Sequence, residues 1–142
     1  DKYGFEHGDE VIRETARLLI RVTKEFGNPD DFVGHIGGDD FVIVTTLDKT
    51  DLLCQKVILN FENLVPSFYN EKDRKNGYIF AFDRNGKEQK IPLISISIGV
   101  VTNEYRKITH VAQIGEIGAE LKSYAKSLER SNYVKDQRKV IK

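Results

Sequence analysis

With a single cysteine, Cys54, in 142 residues, the chain can form no internal disulfide. A reducing, cytoplasmic setting fits such a chain. Neither charge is in excess, since 22 basic residues meet 22 acidic ones. A balanced chain has no global field to draw it toward nucleic acid or an acidic membrane, and contact with neither is expected. Long hydrophobic runs are missing too: no stretch approaches the ~20 apolar residues that span a bilayer, and the first residues lack a signal-peptide pattern. The three histidines, His7, His35 and His110, have no metal-ligand spacing and read as structural or surface positions. Internal repeats, low-complexity stretches and a starting Met are absent as well. The length suits one domain over residues 1–142 with a substantial core, and the missing Met points to a fragment of a longer protein.

What is present centres on Gly37-Gly38-Asp39-Asp40-Phe41. Phe32-Val33-Gly34-His35-Ile36 precedes it and Phe41-Val42-Ile43-Val44-Thr45-Thr46 follows. Two strand-like runs joined by Gly and Asp predict a β-hairpin with adjacent carboxylates at its tip. The glycines leave backbone N–H groups open to a ligand. The carboxylates suit a hard cation such as Mg²⁺, which commonly sits between acidic side chains and substrate phosphates. Taken alone, the five residues fit a solvated turn better.

Around this hairpin the pattern alternates helix and strand. Val11, Thr15, Leu18, Leu19, Val22 and Phe26 recur at helical spacing and predict a helix from about Asp9 to Phe26, with Gly27 as its stop. A second helix is expected from about Thr50 to Leu64, with Leu53, Val57, Ile58 and Phe61 inward and Asp48 or Thr50 as cap. Residues 66–77 are polar and breaker-rich and read as a loop. Tyr78–Phe82 and Lys90–Val101 flank Arg84-Asn85-Gly86-Lys87, a strong hairpin signal. In the second arm Ser95, Ser97 and Gly99 alternate with bulky residues, so a helix or ligand can lie close on the small face. A last helix is expected from about Thr109 to Leu128, with Val111, Ile114, Gly118, Leu121, Ala125 and Leu128 on one stripe. A short strand follows at Asn132–Val134. This order gives an α+β fold, a largely antiparallel sheet covered by helices.

The signature resembles that of the GGDEF, or diguanylate cyclase, family, and three more stretches match in order. Tyr3-Gly4-Phe5-Glu6-His7-Gly8-Asp9-Glu10-Val11 resembles Y/F-G-H-x-x-G-D-x-x-L; Ser95-Ile96-Ser97-Ile98-Gly99-Val100 resembles T-V-S-I-G-V/A; Tyr124-Ala125-Lys126-Ser127-Leu128-Glu129-Arg130-Ser131-Asn132 resembles Y-x-A-K-x-x-G-R-N. Asp40 replaces the usual Glu, and Phe5 the usual His. The family's opening D-x-D-x-F-K-x-x-N-D would precede this chain, leaving Asp1 as its final Asp. The resemblance therefore implies a palm-like nucleotidyl cyclase fold lacking its first strand and helix.

It also implies a reaction: two GTP condense into cyclic di-GMP with release of pyrophosphate, in a homodimer of GTP-loaded domains and with Mg²⁺ or Mn²⁺. Carried over, Asp39 would bind metal and help deprotonate the 3′-hydroxyl, and Asp40 would be a second metal ligand. Gly37 and Gly38 would make room for nucleotide, Asp9 would read the guanine edge, and Lys126 and Arg130 would neutralise the triphosphate. An upstream sensory or regulatory domain is implied too. Asn28-Pro29-Asp30-Asp31 stands where many members carry R-x-x-D, a product-inhibition site. Asp31 keeps the Asp, but Asn28 lacks the charged fork of Arg, so this site reads as degenerate.

Plainer readings stand beside these. Asp9 suits the first turn of a helix, Lys126 and Arg130 a solvated helix end, Cys54 a small core residue, and Asp30 and Asp31 a solvated turn. With its opening segment missing, the fragment itself is expected to be weakly active or inactive. The alternative function is a degenerate domain that binds GTP or a partner without catalysis. A palm-like cyclase or polymerase acting on another substrate fits the motifs least.

Overall fold

Helix on helix builds the core, and short strand pairs close over it. The computed structural model describes residues 5–128 and 130–137; Asp1, Tyr3, Gly4 and Glu129 of the quoted motifs lie outside them. α1 spans Phe5–Phe26 and α2 spans Thr50–Leu64. Leu18, Leu19 and Val22 of α1 meet Leu53, Val57 and Phe61 of α2, with Val65, Phe68 and Tyr69 extending the cluster. Residues three and four apart share one helix face, so these two stripes bury each other. Cys54 is buried beside them, whereas Ile58 is only half-buried. Burial, reinforced by the charge of Asp51, pushes the Cys54 thiol up to about 12, which leaves it a small core residue and not a nucleophile.

β1 (Phe32–Gly37) and β2 (Asp40–Val44) form an antiparallel hairpin. Val33, Phe41 and Ile43 pack on the core, while Phe32, Val42 and Val44 face outward. This is the period-two alternation of a ribbon covered on one side. β3 (Tyr78–Phe82) and β4 (Glu88–Pro92) form a second antiparallel pair. β5 (Ser97–Val100) pairs in parallel with β6 (Asn132–Lys135). The α+β architecture thus holds, with its strands divided among the described residues into three two-stranded sheets, two of them antiparallel.

The expected second arm, Lys90–Val101, is therefore two strands in different sheets. Pro92 has no N–H to donate. Beyond it, the Ile94 N–H donates to the Tyr69 hydroxyl at 3.0 Å and the Ile96 N–H to Ser131 Oγ at 3.0 Å. Side chains take the bonds that a strand partner would need, so the ladder stops.

The expected loop at 66–77 contains a 3₁₀ turn, Val65–Phe68, and a short helix, α3 (Glu71–Asn76). Asn70 caps α3 by accepting from the Asp73 N–H at 2.9 Å, and Gly77 ends it at φ 79°. Arg74 then donates to the carbonyls of Pro66 and Tyr69. Neither Asp48 nor Thr50 caps α2. A 3₁₀ turn, Leu47–Lys49, runs straight into it, and the Thr50 hydroxyl donates back to Thr46 O at 3.1 Å.

α4 spans Val111–Lys126, its start fixed by Gln113, whose side-chain oxygen accepts from the N–H groups of Thr109 and His110. Half of the expected inward stripe holds, with Gly118 and Leu121 half-buried against β5 and Ala125 buried. Ile117 and Ala125 are buried, whereas Val111, Ile114 and Leu128 are exposed. Gly99 of β5 marks where the stripe is held inward. A Cβ there would come within 2.9 Å of Leu121 Cβ, 3.0 Å of Gly118 O and 3.1 Å of Lys122 N. The small face of β5 seats α4 at this point.

Candidate functional site

The hairpin tip is tighter than its sequence suggests. Gly37 pairs with Asp40, so only Gly38 and Asp39 form the turn, and a bulge between His35 and Gly37 leaves Ile36 unpaired. Gly38 sits at φ 54°, in the left-handed region, with open space where a Cβ would be. His35 steadies the turn from one side: its ring stacks on Phe41 at 4.6 Å, and its Nε2 lies 2.7 Å from Gly38 O.

The two carboxylates consequently differ in role. Asp39 stands exposed on the turn with no hydrogen bond or ion pair to any described residue. Asp40 begins β2, and its Oδ1 accepts from Lys122 Nζ of α4 at 2.8 Å. That hydrogen bond and the Lys122 charge, with Lys126 and His35 adding to them, hold the Asp40 carboxyl below the usual carboxylate range. Asp40 is thus ionised and already has a cation.

Lys122 was not among the residues expected from sequence. Its partner lies 82 positions away, so no local pattern announces it; the only signal is that it precedes Lys126 by one helical turn. Arg130 is placed differently from expectation. α4 ends at Lys126, and Arg130 lies beyond it, in the turn before β6, with its side chain exposed. Asn132 Nδ2 stops the helix by donating to Ala125 O at 2.9 Å and to Arg130 O at 2.7 Å. Lys126 and Arg130 therefore do not lie one turn apart on one helix.

Asp9 lies beyond the first turn of α1, because the helix is already formed at Phe5 and Glu6. An edge-on contact of His7 with Phe68 at 6.3 Å supports that early start. The dipole effect fades within the first turn, so the helix-start role for Asp9 fails. Its carboxylate is exposed, and no described residue pairs with it or connects it to the hairpin tip.

Asn28 and Asp31 are occupied internally. The Asp31 carboxylate accepts from the Asn28 N–H at 2.8 Å, from Thr45 Oγ1 at 2.7 Å and from Asn28 Nδ2 at 3.3 Å. Asn28 Nδ2 also donates to Thr46 Oγ1 at 2.8 Å. Partial burial pushes the Asp31 carboxyl up, but these bonds and Lys49 outweigh it and leave the group below its usual value. Asp31 is therefore not a solvated turn residue: it ties the end of α1 to β2. Gly27 makes this possible, since a Cβ there would overlap the Asp31 carboxylate.

A magnesium-type cation commonly binds one or two carboxylates plus substrate phosphates. Asp39 offers a free carboxylate and Asp40 the oxygen that Lys122 leaves open. Among the described residues no group of three or more His, Cys, Asp or Glu side chains gathers to hold a metal. Two carboxylates are the donors that a cation shared with a substrate's phosphates would need. Also among the described residues, no helix is long and apolar enough to cross a membrane.

Comparison with curated proteins and with solved structures found no match. The family model described as diguanylate cyclase, GGDEF domain, matches residues 1–124, and the chain belongs to that family. The match takes in Asp9, the hairpin tip, the Gly99 seat and Lys122, and it ends before Lys126 and Arg130.

Proposed function

We propose that this domain condenses two molecules of GTP into cyclic di-GMP, each domain of a homodimer presenting one nucleotide. The observation that supports it best is the hairpin tip: a free carboxylate on a glycine-opened turn, flanked by lysines of α4. Each 3′-oxygen attacks the α-phosphorus of the other GTP. A P–O bond forms, the bond to pyrophosphate breaks, and the hydroxyl proton is taken up by the Asp39 carboxylate. Asp39 and Asp40 would hold a Mg²⁺ or Mn²⁺ ion, which would neutralise charge on the phosphates.

The chain's own residues do the rest. The turn at Gly37 and Gly38 lets a nucleotide approach without meeting a side chain. Lys126 and Arg130 offset the triphosphate charge. Asp9 accepts two N–H donors from guanine, a pattern that adenine lacks. Positioning of this kind is a large share of catalysis when two separate reactants must be held in line. Asn28 and Asp31, bonded to each other, leave product feedback weak. The reading implies a cytoplasmic domain under control of a regulatory segment.

A second reading is supported by one specific feature. Asp40 is a methylene shorter than the family's Glu and is engaged by Lys122, which suits a domain that binds GTP without turning it over. Incubating the intact protein with GTP and Mg²⁺ and separating products by chromatography decides between the two. Cyclic di-GMP and pyrophosphate are expected; GTP binding without product supports the second reading, and neither binding nor product removes both. Within the same assay Asp9→Ala should relax guanine selectivity by about 1–3 kcal/mol, the scale of one paired polar base contact.

A further inference from the structure

We propose that Lys122 is a positioning residue of this site, a resident counter-ion whose ammonium a divalent cation must displace from Asp40 to bind at the hairpin tip. The inference rests on the reading of that tip as a metal and phosphate site. Three observations carry it. Lys122 Nζ lies 2.8 Å from Asp40 Oδ1, so it occupies one of the few donor positions the tip provides. The helix that carries it is fixed, because the seat at Gly99 closes directly on the Lys122 backbone. The pair is open to exchange, with the side chains of Lys122 and Asp40 35% and 46% exposed.

Such a pair has consequences for loading. A half-exposed ion pair is weak enough for a doubly charged ion to replace, especially when phosphates bring further ligands with it. Asp39 has no partner among the described residues and can make the first contact. Asp40 then changes partner, and Lys122 swings its flexible stem free within reach of the same anionic ligand. Empty, the tip is held neutral at Asp40; loaded, the lysine charge becomes available to phosphate. Metal binding without nucleotide is therefore held back by Lys122.

The test measures binding of Mn²⁺ alone to the intact protein, by the loss of the paramagnetic resonance signal of free aqueous Mn²⁺. Lys122→Gln should bind up to about fivefold more tightly than wild type, the largest factor an exposed ion pair of this kind usually supplies. Lys122→Arg, which keeps the pair, should stay near wild type and guards against a folding artefact. Lys126→Gln removes the same charge one turn away and should have the smaller effect. Combining Lys122→Gln with Asp40→Asn should give the affinity of Asp40→Asn alone. If Asp39→Asn and Asp40→Asn weaken binding while Lys122→Gln leaves it unchanged, the counter-ion role is wrong and the metal site stands. Equal gains from Lys122→Gln and Lys126→Gln overturn it as well, leaving only long-range charge. If Asp39→Asn and Asp40→Asn have no effect, the reading of the tip as a metal site falls, and this inference with it.

Discussion

The two hairpins are made of the same ingredients and use them in opposite ways. Each turns on Asp and Gly. In the β3–β4 hairpin, Asp83 spends its carboxylate on its own loop, accepting from the N–H groups of Asn85 and Lys87 at 2.9 Å each and from Gln89 Nε2 at 3.2 Å. Its backbone closes the same loop, with the Asp83 N–H donating to Lys87 O and its carbonyl accepting from Gly86. Both oxygens of that carboxylate are thus engaged by its own hairpin. In the β1–β2 hairpin, Asp39 makes no such bond and Asp40 reaches across the fold to a helix. The second hairpin's turn satisfies itself, whereas the first leaves the exposed Asp39 carboxylate to solvent or to a ligand.

The largest effect that would break this contrast is at Asp39. Asp39→Ala should reduce cyclic di-GMP formation by about a hundredfold or more, the scale of losing one positioned electrostatic group. Thermal unfolding should not move, because the side chain is exposed and makes no hydrogen bond or ion pair with any described residue. A variant with full activity would make the two hairpins equivalent and remove the site assignment.

Asp31 is the next largest test, and it extends the contrast to a third acidic side chain. Its carboxyl lies below the usual range, so the ionised form is stabilised by folding. That contribution is fully present above the unfolded value of about 3.9 and is lost as pH falls through the lower folded value. Wild type should therefore exceed Asp31→Asn in denaturation midpoint at neutral pH, and the gap should close below about pH 4. A gap that is constant with pH would mean that shape and not charge ties α1 to β2.

Asp83→Ala should cost less, about 1 kcal/mol for hydrogen bonds in an exposed loop, with turnover unchanged. Lost activity at unchanged stability would show that the second hairpin also touches the reaction.

Local pattern carried much of this fold to the surface of the sequence. α2 covers Thr50–Leu64, the range that its periodicity marked, and both hairpins lie where Gly, Asp and Asn stand between apolar runs. The small face of β5 was legible, and Gly99 shows it to be a seat for a helix. What stayed hidden depends on distant partners. α3 relies on Arg74 reaching back to Pro66 and Tyr69. The break after Pro92 relies on Tyr69 and Ser131 capturing backbone N–H groups. At the hairpin tip, the two carboxylates are visible in the signature itself, whereas the Lys122 contact with Asp40 is not, since it forms only once α4 is seated on β5.

The smallest effect sharpens the comparison inside one hairpin. Asp40→Glu restores the family's usual residue and adds one methylene. The charge is kept, so the pair with Lys122 survives, and the longer arm lets the second oxygen reach further over the turn toward whatever Asp39 holds. Turnover should rise by no more than a few-fold, the modest range expected when reach improves but no interaction is added. The gain should be greatest at low Mg²⁺, where cation loading limits the rate, and should vanish at saturation. Measuring kcat/KM across a Mg²⁺ series separates the outcomes. A gain at all concentrations would mean that the shorter side chain limits the chemical step itself. A loss would mean that the tip is built around Asp, with Lys122 set to the shorter reach, and that Asp40 and Lys122 work as one unit.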